Sequence, residues 1–204
     1  MVGLFYYLYS HHQKVTNMGM LLIYTPNITS RHKYIFKLFF DEIFRIDFQI
    51  TNNLDEFSAF NGAKLNYSNQ QFADELFIES FGLLDEKGIN QQEINVHLNE
   101  EFPVFFSSQS EGVLPFDVFS CSFYLVSRYE EYLPFVKDSH KRFQAENSLA
   151  YNNDFLQKPV INIWGKKLID KIKNRFPNLP IKESEYQYIS TIDIDNAFYF
   201  REKG

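Results

Sequence analysis

The sequence predicts an α/β protein built on a mainly parallel sheet flanked by helices. An apolar run at residues 21–25 is followed by a helical pattern and then by an alternating strand pattern at residues 45–51. A strand, a helix and a strand in this order form a right-handed crossover between parallel strands. Two strongly amphipathic segments, which begin at Asp117 and at Pro159, supply helices that can cover such a sheet.

The first half of the chain carries the predicted strands. Thr29 or Ser30 can cap a helix that reaches about Phe44, because hydroxyl side chains accept hydrogen bonds from the first free amides of a helix. A short helix is predicted at residues 53–60, where Asn61-Gly62 stops it. Further strand candidates lie at residues 64–67, 75–78, 94–98 and 103–106.

The second half is predicted to be helical. Asp117 caps a helix through about Tyr132, and Pro159 opens another that reaches about Arg175. The polar residues 137–153 between them are predicted to form an exposed loop. We therefore divide the chain into an upstream extension or misassigned start at residues 1–19, an α/β accessory domain at 20–180 and a final segment at 181–204. The alternative for residues 1–19 is a short helix packed on the domain.

Composition excludes several classes of function. The formal charge of -6 and the pI of about 5.4 disfavour nucleic-acid binding, which needs a basic surface. Phenylalanine is abundant, with 23 residues, and predicts an aromatic core. The single Cys121 lies in an apolar run and is predicted to be a core residue. No segment has the pattern of a signal peptide or of a membrane span, so the expected location is cytoplasmic.

Motifs for common cofactors are absent from the sequence. The strand-helix-strand opening is Rossmann-like, yet no glycine-rich phosphate loop follows its first strand. No Gly-x-Ser-x-Gly element occurs. Arg128, in a charged and aromatic segment, is a candidate to bind a carboxylate or a ligand anion, or it belongs to a solvated helix end. Asp74 and Glu75 are interpreted as a pair of charges at a strand edge and not as an acid/base pair.

The sharpest chemical signal is a pair of aspartates, Asp193 and Asp195, which close a segment predicted to be a buried strand over residues 186–195. Residues two apart on a strand point to the same face. Carboxylates at the C-terminal end of a parallel strand lie where α/β enzymes hold ligands and catalytic groups. We therefore expect one aspartate to bind a cation and the other to accept a proton. The alternative is an exposed acidic turn.

Residues 190–197, Ser-Thr-Ile-Asp-Ile-Asp-Asn-Ala, resemble the first motif of polysaccharide deacetylases, the NodB-homology or carbohydrate esterase family 4 group. The upstream part is similar to an uncharacterised DUF7033-like domain at the N-terminus of a Bacteroidetes-type polysaccharide deacetylase family. The segments that carry this similarity lie at residues 21–26, 73–77, 114–117, 122–134 and 158–164, and the fourth is the most specific.

The resemblance implies that Asp193 is the general base and that Asp195 binds a divalent metal of the zinc or cobalt class. It also implies a glycan substrate and a deacetylase barrel within the same longer protein. Residues 181–204 would supply the first strand and the Asp-x-Asp motif of this barrel, which would pack against residues 20–180. The family's His-x-x-x-His ligand pair does not occur in this sequence, so we expect the 204-residue chain to be inactive alone. Two other classes stay open: a non-catalytic module for glycan binding or domain docking, and a glycosyltransferase-like α/β domain.

Overall fold

The computed structural model describes residues 19–182, 186 and 188–192, and it contains a four-stranded parallel sheet. The strands are β1 (Leu21–Tyr24), β2 (Phe48–Thr51), β3 (Ala63–Ser68) and β4 (Leu76–Glu79), in the order β2-β1-β3-β4. Helices flank the sheet, so the predicted α/β class is confirmed. The described residues form no closed barrel. A separate antiparallel pair joins β5 (His97–Asn99) to β6 (Phe102–Val104).

Five α-helices accompany the strands in the described part of the chain. They are α1 (Ser30–Phe36), α2 (Leu54–Ala59), α3 (Val118–Val126), α4 (Leu149–Asn152) and α5 (Val160–Arg175). Helix α1 continues as a π-helical segment over Lys37–Ile43, and 3-10 turns cover Tyr129–Tyr132 and Ala145–Asn147. Thr29, Asn53 and Asp117 cap α1, α2 and α3 through their side-chain oxygens. The two caps expected from sequence, at Thr29 and Asp117, are therefore confirmed.

The first face of the sheet is covered by a thick aromatic core. Inward residues of the strands, such as Leu65 and Tyr67, share one buried cluster with α1, α3 and α5. Phe119 lies at its centre, with its ring centroid 4.9 Å from that of Phe36 and 5.3 Å from that of Phe39, both in edge-to-face geometry. This arrangement is the one that aromatic quadrupoles favour. The prediction of a phenylalanine-rich core is confirmed.

The second face is covered more thinly. Met20, Leu22 and Tyr24 pack against Phe57 of α2, a helix of only 6 residues. Strands β3 and β4 are parallel, so the connection at residues 69–75 must return from the end of one to the start of the other. It carries no helix, and its Phe72 ring packs edge-on against Tyr24 at a centroid distance of 5.3 Å.

The structure corrects the end of one predicted helix and adds a helix within a predicted loop. The helix that begins after Asp117 ends at Val126 and does not reach Tyr132, because Arg128 adopts a left-handed conformation with φ 53°. The last turn tightens before this break, since the Arg128 amide bonds to the Leu125 carbonyl, three residues back. The expected loop at residues 137–153 contains α4, which Ser148 caps by accepting from the Tyr151 amide.

The predicted buried strand at residues 186–195 is wrong in the part that the structure describes. Residues 188–192 form no strand, and Tyr188, Ile189 and Ile192 are at least 76% exposed. An apolar pattern becomes a strand only where a neighbouring strand accepts its hydrogen bonds. In the described ranges no strand pairs with this segment.

Candidate functional site

The C-terminal edge of the sheet is the place where open α/β folds bind ligands, at the point where successive connections leave in opposite directions. That point lies here between β1 and β3, because β2 and β3 lie on opposite sides of β1. The chain fills this crevice with its own residues. Leu83 and Leu84 are fully buried, and the Thr29 hydroxyl donates to the Leu84 carbonyl at 2.8 Å. Arg31 donates to the Leu83 carbonyl at 2.6 Å.

His32 lies under this segment at the start of α1 and is fully buried. Its Nδ1 is 2.8 Å from Thr29 Oγ1 and its Nε2 is 3.4 Å from Thr25 Oγ1. The Thr29 backbone amide also donates to Nδ1 at 3.4 Å, and the His32 amide donates to Thr29 Oγ1 at 3.3 Å, so the two residues form a capping box at the start of α1. Burial lowers the pKa of His32, and the charge of Asp85 opposes this only in part. Burial therefore favours the neutral imidazole, and its hydrogen bonds hold the start of α1.

Asp117 joins the sheet to α3 through four hydrogen bonds. Its Oδ1 accepts from the amides of Phe119 at 3.0 Å and Ser120 at 2.9 Å, and its Oδ2 accepts from the Tyr67 hydroxyl at 2.7 Å and the Phe81 amide at 2.8 Å. Burial raises the pKa of Asp117, and it raises that of Tyr67 well above its ordinary value. Each oxygen of the Asp117 carboxylate already accepts two hydrogen bonds, so neither is free to accept a proton from a substrate.

Glu75 is likewise used to hold the chain together. It accepts from the side-chain amide of Asn66 at 2.9 Å and from the backbone amides of Phe72 and Ala73, each at 2.8 Å. Burial raises its pKa, but these hydrogen bonds lower it more, and the net pKa lies below its usual value. The neighbouring Asp74 pairs instead with Arg175 at 2.6 Å. Asp74 and Glu75 therefore do not act together as an acid/base pair. This agrees with the interpretation made from the sequence.

Glu79, at the end of β4, accepts four hydrogen bonds on a single oxygen from residues 108–110. The donors are the hydroxyl of Ser108 at 2.6 Å, the amide of Gln109 at 2.7 Å, and the amide and hydroxyl of Ser110 at 3.0 and 2.9 Å. These bonds outweigh the effect of burial and lower the pKa of Glu79. Sequence reasoning missed this site, whose partners lie 29 to 31 residues along the chain, and it also missed the role of His32, although its partner Thr29 is only three residues away.

Cys121 is fully buried in the core and donates its thiol hydrogen to the Phe105 carbonyl at 2.9 Å. Burial raises the pKa of the thiol well above its ordinary value, so the nucleophilic thiolate is not populated at neutral pH. The prediction of a core cysteine is confirmed.

Arg128 forms an ion pair with Glu131, three residues on, through its Nε and Nη2 atoms. Its side chain is 70% exposed. The adjacent Glu130 accepts a hydrogen bond from the Leu149 amide, and burial raises the pKa of this carboxyl, with the charge of Glu131 adding to the rise. This local pair fits the interpretation of a solvated helix end, and the binding of a ligand anion by Arg128 stays a prediction.

The predicted base Asp193 and metal ligand Asp195 lie outside the described residues. Within the described ranges, no group of three or more His, Cys, Asp or Glu side chains is placed to hold a metal ion. None of the described helices is long and apolar enough to cross a membrane. The polar groups that the structure does bring together at the sheet edge therefore hold the fold and leave no open catalytic arrangement there.

These features define a class: an α/β domain whose ligand crevice is closed by its own chain. A model for a family of unknown function (DUF7033) matches residues 21–177, and the chain therefore belongs to this family. No curated protein and no solved structure matches the chain.

Proposed function

We propose that this chain is the N-terminal accessory region of a metal-dependent protein of the polysaccharide deacetylase type, which removes acetyl groups from a glycan. The observation that carries the proposal is a contrast in how carboxylates are used. Glu75, Glu79 and Asp117 are tied up by internal hydrogen bonds, whereas the motif that resembles the deacetylases brings two further carboxylates, Asp193 and Asp195. We therefore assign the catalytic chemistry to the motif with Asp193 and Asp195, and a supporting structural role to the α/β domain.

Within this proposal Asp193 is the general base that takes a proton from water, and Asp195 is a ligand of a divalent cation of the zinc or cobalt class. Such a cation supplies Lewis acidity toward the acetyl carbonyl. A catalytic zinc ion takes three protein ligands as a rule, and two aspartates do not meet that number. The described residues add no ligand cluster. The remaining ligands must come from elsewhere in a longer protein, and we expect only weak metal binding by these 204 residues.

The test uses a longer protein that contains this chain and measures acetate release from acetylated glycans together with metal content. Asp193→Asn should abolish acetate release and leave the metal bound, and Asp195→Asn should lose both. Asp170→Asn, at an exposed carboxylate of α5, is the matched control and should change neither. Acetate release that survives Asp193→Asn would overturn the assigned base.

The open alternatives predict different results in the same assay. A non-catalytic module would bind a glycan but release no acetate with any variant. A glycosyltransferase-like domain would need a nucleotide-sugar site at the C-terminal edge of the sheet, where Leu83 and Leu84 fill the crevice. The packing of these two residues favours the accessory role over the transferase.

A further inference from the structure

A pocket of about 300 Å³ opens between segments of the second half of the chain. Its walls come from three separate parts of the chain: the end of α3 with the turn after it, the segment around α4, and the start of α5. The floor is apolar and includes Leu125, Phe155 and Val160. The volume lies at the lower end of the range for pockets that hold small ligands, about 300–1,000 Å³. The pocket is therefore of a size that accepts one ring-sized group.

The polar groups at this pocket offer both donors and acceptors. Arg128 uses Nε and Nη2 on Glu131, which leaves its other N–H groups unused by that ion pair. Lys158 also lines the pocket, and in the described part of the chain no carboxylate lies within ion-pair distance of it. The Oε1 atom of Glu130 accepts a hydrogen bond from the Leu149 amide, and no described residue donates to its Oε2 atom. A ligand would thus meet two cations, of which Arg128 is already paired with Glu131, and two carboxylates, Glu130 and Glu131, each with one oxygen that accepts no hydrogen bond from a described residue.

An aromatic side chain completes the pocket. Phe143 lines one wall and is held edge-on by Phe135, at a centroid distance of 5.1 Å. Leu156 lies at the opening and is 51% exposed. Sugar rings combine an apolar face of C–H groups with hydroxyls around the rim, so they match an aromatic wall beside mixed donors and acceptors. A carboxylate on such a ring would meet Arg128 and Lys158, which form charge-assisted hydrogen bonds with anions.

We propose that this pocket binds an acidic sugar, a uronate residue of a glycan, with its carboxylate at Arg128 and Lys158, a hydroxyl at Glu130 and its apolar face on Phe143. The choice of a glycan over another ring-bearing carboxylate rests on the proposed function. The pocket and its charged residues are observed independently of that function. This would give the domain a means of holding an acidic polymer while chemistry takes place elsewhere.

The experiment is isothermal titration calorimetry of the 204-residue chain with a short oligoglucuronate and with a neutral gluco-oligosaccharide of equal length. We expect the acidic ligand to bind roughly tenfold more tightly than the neutral one, in line with one charge-assisted hydrogen bond. Lys158→Gln should remove about that factor. The control, Lys166→Gln, changes an exposed lysine of α5 that does not line this pocket and should leave the affinity within about twofold.

Several outcomes would overturn the proposal. These are no measurable binding, equal binding of the two oligosaccharides, or an equal loss with Lys158→Gln and Lys166→Gln. Benzoate and a peptide with a free C-terminal carboxylate serve as further ligands, and tighter binding of either would exclude the glycan. Thermal unfolding of each variant verifies that it is folded. Asp193→Asn should leave binding intact, so a failure of this pocket and a failure of the proposed deacetylase are separated by the assay in which they appear.

Discussion

The two faces of the sheet are held by different forces. The first face buries a continuous aromatic core under three helices, with Phe119 in contact with the rings of Phe36, Phe39, Phe40 and Tyr67. The second face has a short helix and a loop, and the loop is fixed by polar side chains of β3 and by Glu75. The difference teaches that the structure on one side of a sheet can be held mainly by the packing of aromatic side chains, while a loop on the other side is held by hydrogen bonds.

The largest expected effect comes from cutting the aromatic core. Phe119→Ala should lower the free energy of unfolding by about 3–5 kcal/mol, the usual cost of removing a fully buried phenylalanine. Phe72→Ala on the second face is the matched control and should cost about 1 kcal/mol or less, since Phe72 is 39% exposed. Urea denaturation measures both. Equal losses would contradict the contrast between the faces.

Asn66 is the test of the second face. Its side chain is fully buried, donates to the Gln70 carbonyl at 2.8 Å and to Glu75, and accepts from Ser68 at 2.7 Å. Asn66→Ala removes three buried hydrogen bonds and should cost about 1–3 kcal/mol, although the Gln70 carbonyl keeps the Ser68 hydroxyl and Glu75 keeps two backbone amides. Amide exchange at residues 69–75 should accelerate more than exchange in β1.

The control for this experiment is Asn69→Ala, which changes an exposed residue of the same loop. It should alter stability by less than about 0.5 kcal/mol. If Asn66→Ala left the exchange of the loop unchanged, the polar side chains would not be what fixes it.

Acid should affect the hydrogen-bonded carboxylates before the aromatic core. Hydrogen bonds lower the pKa of Glu75 and of Glu79 in the folded chain. Each group therefore contributes stability that is fully present above its unfolded pKa, near 4.5. This stability is lost as pH falls through the lower folded pKa.

The measurement is the urea midpoint between pH 6 and pH 3 for the parent chain and for Glu79→Gln. The variant should start less stable and show a shallower decline below about pH 4.5, because it lacks one of the titrating groups. Phe119→Ala should decline as steeply as the parent chain. A steeper decline in Glu79→Gln would show that the bonds from residues 108–110 do not favour the charged carboxylate.

The smallest expected effect concerns Arg128, which belongs to neither face. Its φ of 53° lies in the left-handed region, where glycine meets no steric penalty. Arg128→Gly should therefore be more stable than Arg128→Ala by about 1 kcal/mol, although both lose the exposed pair with Glu131. Thermal unfolding compares the two variants, and a more stable alanine variant would show that the turn is not kept in the left-handed form.

The sequence predicted the parts of this fold that depend on local pattern. The alternation at residues 45–51 led to β2, and the apolar run at 21–25 led to β1. The cap at Asp117 was also predictable, because an aspartate before an apolar helical pattern is a local signal. The sequence did not predict that the second oxygen of the same carboxylate binds Tyr67, 50 residues away. That contact depends on the parallel sheet as a whole.

One wrong prediction and one omission have the same physical origin. Residues 188–192 are apolar enough for a strand but find no partner strand among the described residues. The segment with Leu83 and Leu84 gave no signal of its destination, because a leucine pair is equally suited to a helix, a strand or a plug in a crevice. The hydrophobic periodicity of a segment shows which side of a helix or strand is apolar. It does not show which other part of the chain packs against that side. Asp193 and Asp195 stay a prediction.

The filled crevice makes this domain a natural starting point for receptor design. The segment around Leu83 and Leu84 is anchored beside the end of β1 and the start of α1 by side-chain hydrogen bonds from Thr29 and Arg31 to its carbonyls. Shortening that segment would remove two leucines and expose a cleft already bordered by strand ends and by the start of α1. The size and shape of the segment around Leu83 and Leu84 would therefore define the size and shape of the binding site that its removal creates.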